Sequence, residues 1–111
     1  MIYSWSAAQR PGGTRVYLAG EVDISVSDHL YEVLGDTFEQ TLGSVEVDLR
    51  DMRFLDCTGL GAFLRARQDA HAGGRLMFVS RPQGMVRRVL EITDTLAALT
   101  ASGVPLSVLS N

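Results

Sequence analysis

The sequence predicts a mixed α/β fold: an N-terminal antiparallel hairpin joined to parallel strands in one small sheet, with helices mainly on one face. Three observations carry this. Val45, Val47 and Leu49 alternate with Glu46 and Asp48, the two-residue period of a half-buried strand. Leu60, Phe63, Leu64 and Ala70 then recur at three- and four-residue spacing, with Arg65, Gln68 and Asp69 on the other side, as on an amphipathic helix. After the hairpin, strand and helix patterns alternate, which demands crossover connections and makes the strands they join parallel.

Taken in order, Ile2 to Ala7 and Thr14 to Ala19 read as strands joined by Arg10-Pro11-Gly12-Gly13, strong turn chemistry for a hairpin. Val16 and Leu18 are expected to face the core, with Tyr17 opposite and Trp5 packing on the sheet. Ser25-Val26-Ser27-Asp28 has the spacing of a capping box. It predicts a helix with Val26, Leu30, Val33, Leu34, Phe38 and Leu42 as its apolar stripe and Gly43 as its stop. His29 is expected on its surface. The central strand and helix follow, the latter stopped by Gly73-Gly74. Arg75 to Val79 then predicts an apolar strand, and Pro82 the start of a short helix. Met85, Val86, Val89 and Leu90 form the buried side of that helix, and Arg87 and Arg88 point outward. Leu96 to Leu99 is either strand or helical turn. Residues 101–111 contain Gly103 and Pro105, so a last helix there is expected to be short and frayed. Glu46 and Asp48 predict that one face of the sheet is less covered than the other.

The chain has 111 residues, suited to a single domain over residues 1–111 with one modest core. Hydrophobic residues make up 46% and charged ones 21%, a globular balance that argues against disorder. The net charge of -3 disfavours nucleic acid as a partner. One cysteine allows no internal disulfide. With neither a signal pattern at the start nor an apolar run of membrane-spanning length, the expectation is a cytoplasmic protein without direct membrane contact.

Chemistry is expected where the central strand meets its helix. Asp56, Cys57 and Thr58 fall where the first backbone N–H groups of the helix lack internal partners, an end that attracts negative charge. Asp56 or Thr58 is also a suitable N-cap. Gly59 and Gly61 leave the first turn bare for the approach of another molecule.

Asp56-Cys57-Thr58-Gly59-Leu60-Gly61 resembles the Asp-Ser-Ser/Thr-Gly-Leu-Gly signature of anti-sigma factor antagonists, in the STAS domain family. Leu18-Ala19-Gly20-Glu21-Val22-Asp23 resembles that family's Gly-Glu-x-Asp step into the first helix. Leu90-Glu91-Ile92-Thr93-Asp94 resembles its Leu-x-Ile/Leu-Thr/Ser-Gly ending, with Asp94 in place of Gly. The resemblance implies a non-enzymatic bacterial regulator of transcription that binds an anti-sigma factor, itself a serine-protein kinase, and so frees a sigma factor. It places partner binding on Glu21, Asp23, Asp56, Cys57, Thr58, Gly59, Leu60 and Gly61. Phosphorylation at the helix start adds about -1.5 to -2 charges beside an existing carboxylate and weakens the complex.

At the acceptor serine's position stands Cys57, whose thiol is no substrate for a serine kinase. Four readings stay open. Cys57 is a small packed side chain; it makes the protein a constitutive antagonist; Thr58 is a displaced phosphorylation acceptor; or Cys57 is a redox handle. The alternative function is a STAS subunit of an ABC-type transporter or of a stress-signalling scaffold. Catalysis finds no support, since His71 lies about four turns along the helix from Cys57. One Cys and two distant His predict no metal, and no motif calls for a cofactor. A monomer or weak homodimer is expected.

Overall fold

The Pro11-Gly12 turn folds β1 (Tyr3–Arg10) back on β2 (Gly13–Val22), antiparallel from Tyr3 opposite Gly20 to Arg10 opposite Gly13. The structure, a computed structural model, describes residues 3–101. Ile2 and the segment 102–111, where a frayed last helix is expected, lie outside the described residues. Beyond the hairpin come α1 (Ser27–Gln40), β3 (Ser44–Leu55), α2 (Cys57–Ala72), β4 (Met77–Ser80), α3 (Gly84–Ile92) and α4 (Leu96–Thr100). The sheet order is β1-β2-β3-β4, with β2–β3 and β3–β4 parallel. This is the mixed sheet that the sequence predicts.

The core lies between one sheet face and the helices. Val16, Val45, Val47, Met77 and Val79 are all at most 1% exposed, and they pack with Leu30, Leu34, Phe63, Val86, Leu90 and Leu99 in a single apolar cluster. The opposite face is polar. There Arg15 meets Glu46 at 3.2 Å, the Ser80 hydroxyl donates to Glu46 at 2.6 Å, and Arg81 pairs with Asp48. Asp48 is nevertheless 2% exposed, so this face is not simply bare: its carboxylate is covered by Arg81 and also accepts the Arg50 N–H at 2.9 Å. A buried carboxylate persists only with such partners.

Several local expectations fail, each for an identifiable reason. The Ser25–Asp28 capping box does not form. Asp23 outcompetes it: its carboxylate accepts the Ser25 N–H and hydroxyl, and its carbonyl accepts the N–H groups of Val26 and Ser27 at 3.1 and 2.9 Å. Helix α1 therefore starts at Ser27, with no side-chain cap. It ends at Gln40, which leaves Leu42 outside the helix and fully exposed. Gly43 does not stop α1. It permits a close crossing instead, for a Cβ there would stand 1.8 Å from the Gly12 carbonyl oxygen. The carbonyls at the end of α1 are met by Arg75, whose guanidinium donates to Phe38 O at 2.7 Å, Gly43 O at 2.7 Å and Thr41 O. Arg75 is thus a cap rather than the first residue of β4. Helix α3 begins at Gly84, two residues after Pro82, and leaves Met85 42% exposed while Val86 and Leu90 are buried. Residues 96–100 are the helical alternative, and α4 seals the core with Leu99. Trp5 shares the core side of the hairpin with Leu18 but is 45% exposed, along a groove between β1 and α1.

Candidate functional site

Strand β3 passes into α2 through one extended residue, Asp56, with φ -101° and ψ -175°. The Asp56 N–H donates to Val22 O at 3.2 Å, which fastens the start of α2 to the end of β2. Its Oδ1 accepts the N–H groups of Thr58 and Gly59, each at 3.0 Å, and the Thr58 hydroxyl at 2.6 Å. One carboxylate oxygen thus satisfies two of the helix's orphan donors, and Asp56 is the N-cap. Burial pushes the Asp56 carboxyl up. The Thr58 hydroxyl and the backbone N–H groups of Gly59, Thr58 and Ile24 outweigh it and hold the group below the usual carboxylate range.

The expected contact residues divide into three groups. Cys57 and Thr58 are exposed, and Gly61 has open space where a side chain would stand. Glu21 at the end of β2, Asp23 on the loop after it and Asp56 just before α2 are half-buried. Gly59 and Leu60 turn inward: Leu60 is 6% exposed, and a Cβ on Gly59 would meet Leu55 Cδ1 at 2.6 Å and Val22 Cγ1 at 2.8 Å. Gly59 therefore serves the close approach of α2 to the sheet. Their place is beneath the surface formed by the others. The sequence reading missed Ile24, which is 75% exposed on the β2–α1 loop beside Asp56. The signal was an apolar residue directly after Asp23, ahead of the helix and out of step with its stripe.

Away from this tip, Tyr31 donates to Asp69 across α1 and α2, and Arg65 lies over the Tyr31 ring at 4.1 Å. These contacts couple the two helices whose first turns flank the site. His29 sets its ring edge-on to Tyr3 at 5.9 Å. Among the described residues, no three His, Cys, Asp or Glu side chains gather as metal ligands, and no helix is long and apolar enough to cross a membrane.

The family model for the STAS domain matches residues 4–102, almost the whole chain. The chain belongs to the STAS domain family. Solved structures repeat this fold at low identity. The anti-sigma factor antagonist SpoIIAA in its unphosphorylated form superposes with a TM-score of 0.73 at 15% identity, over 96% of this chain and 94% of that one. The Bacillus cell fate determinant SpoIIAA in its phosphorylated form gives 0.67 at 14%, over 96% and 97%. An anti-sigma factor antagonist from Mycobacterium paratuberculosis gives 0.72 at 18%, over 89% and 83%. A sulfate transporter family protein from Wolinella succinogenes gives 0.57 at 22%, over 73% and 70%. No curated protein sequence matches the STAS domain described here.

Proposed function

We propose that this STAS domain is an anti-sigma factor antagonist, which docks through the tip of α2 and the neighbouring β2–α1 loop onto an anti-sigma factor of the serine-kinase type and thereby frees a sigma factor. The observation that carries the reading is the exposed, carboxylate-capped start of α2, with Cys57 and Thr58 facing solvent. It sits in a fold shared along nearly the whole chain with SpoIIAA, a protein solved in both phosphorylated and unphosphorylated forms. The function is binding, not catalysis. Phosphoregulation at the usual position is altered or lost, because Cys57 stands there.

The test is Thr58→Glu, which sets a second carboxylate beside Asp56 on the docking surface. Like charges left without partners at a covered site cost a few kcal/mol, so affinity for the anti-sigma factor falls by at least about a hundredfold. Thr58 is exposed, so the circular dichroism and melting curve stay near those of the wild type. Unchanged affinity by calorimetry removes this surface from the reading. A second role, as the STAS subunit of a transporter, is supported by the likeness to the sulfate transporter family protein. Copurification with a membrane transport complex rather than with a kinase decides for it.

A further inference from the structure

Resting on that reading and naming the chemistry of its partner, we infer that Ile24 is the apolar anchor of the docking surface and that it inserts into an apolar socket with a basic rim on the anti-sigma factor.

Three features converge on this residue. Ile24 is 75% exposed although β-branched and apolar, and none of the described residues covers it. A scattered surface leucine needs no explanation, but this isoleucine adjoins Thr58, Gly61 and Ala62 around a shallow depression of about 330 Å³ between the first turns of α1 and α2. Its backbone is also held. Asp23 clamps the turn on one side through the N–H groups of Ser25, Val26 and Ser27, and the Ile24 N–H is directed at the Asp56 carboxylate on the other. A loop backbone already held in place gives up little freedom on binding, which favours an efficient anchor. Its surroundings set the partner's charge. Three carboxylates ring Ile24 in part: Asp23 precedes it, Asp56 faces its N–H and Asp28 lines the same depression, where Arg65 is the one base among the described residues. A partner surface carrying arginine or lysine around the socket complements this ring, and an acidic one is repelled.

The experiment measures binding of the anti-sigma factor by calorimetry with the wild type, Ile24→Ala, Ile24→Asp and Thr58→Glu. An exposed loop residue contributes little to folding, and melting curves report this directly. Ile24→Ala is expected to weaken binding about tenfold or more, the loss typical of truncating an anchor. Ile24→Asp, which places a charge in an apolar socket, is expected to weaken it further. Raising the salt concentration weakens the wild-type complex if the rim is basic. Wild-type affinity in Ile24→Ala, together with loss of binding in Thr58→Glu, overturns the anchor and leaves the antagonist reading standing. Absence of binding by the wild type overturns both. A salt-insensitive complex that still needs Ile24 overturns the basic rim.

Discussion

Asp56 caps α2 with one carboxylate, and substitution separates its hydrogen bonds from its charge. As a cap it holds the Thr58 and Gly59 N–H groups, so Asp56→Ala is expected to cost about 1 kcal/mol in urea unfolding, whereas Asp56→Asn, itself a good cap, loses only part of that. The pH dependence follows from the direction of its shift. The folded group lies below the ordinary aspartate range, so its contribution is fully present above that range and disappears as pH falls through the folded value. The stability difference between wild type and Asp56→Asn should therefore be constant near neutrality and shrink only in acid below about pH 4. A gap that closes between pH 5 and 7 contradicts this. Asp94 is the second informative residue. It takes φ 60°, a left-handed conformation that costs an L-residue energy and glycine almost none, which is why glycine suits this corner in the pattern the chain resembles. Asp94→Gly should raise stability by about 0.5 kcal/mol, offset in part by the greater freedom of the unfolded chain, and the urea midpoint would show it.

Among the elements, α1 shows how a long-range contact can replace a local signal. The Phe38 carbonyl in its last turn, and the Thr41 and Gly43 carbonyls just beyond its end, are met by Arg75, which comes 35 positions after the final residue of the helix, Gln40. Removing a charged donor from several carbonyls at once leaves them short of partners, so Arg75→Ala should cost about 3 kcal/mol. Arg75→Lys should recover little, because an ammonium cannot reproduce the planar fork that reaches Phe38, Thr41 and Gly43 together. Full stability of the lysine variant in urea would contradict the fork. This contact also explains what the sequence could and could not reveal. Strand alternation, helical spacing and the Pro-Gly turn are local signals, and they placed the hairpin, β3, α2 and much of the core, Val16, Leu18, Leu30, Leu34, Phe63, Val86 and Leu90 among it, correctly, while Leu42 and Met85 stay exposed. The ends of α1 were misjudged because tertiary partners decide them: Asp23 takes the bonds that a Ser25 cap would make, and Arg75 takes the role given to Gly43. The inward turn of Gly59 was hidden for the same reason, since it depends on how closely α2 meets Val22 and Leu55, whereas that of Leu60 follows from the helical spacing. Ile24 was overlooked because exposure of an apolar side chain has no periodic signature.

For the molecule as a whole, the proposed function rests on a division between a core that fixes the fold and a tip that the core leaves open. Phe63 is fully buried on α2, whereas Cys57 and Thr58 at the start of the same helix are exposed. Changes at the tip can therefore alter binding without unfolding the domain, and this makes the acceptor question answerable. The two exposed side chains are not equivalent. They point about 100° apart around the helix axis, and the Thr58 hydroxyl is engaged at 2.6 Å by Asp56 while Cys57 is a free thiol. A kinase that presents ATP to position 57 meets sulfur in the wild type. Incubated with the anti-sigma kinase and ATP, the wild type should remain unphosphorylated at Cys57, and its complex should persist. Cys57→Ser supplies a hydroxyl at that position, and mass spectrometry should then find phosphate on the new serine. The added charge would lie beside Asp56 on the proposed docking face, so the phosphorylated variant should dissociate. Phosphate on Thr58 of the wild type would make Thr58 the displaced acceptor. Phosphate on neither residue of either protein, in a kinase active on another substrate, would show that this partner does not regulate the domain through the start of α2.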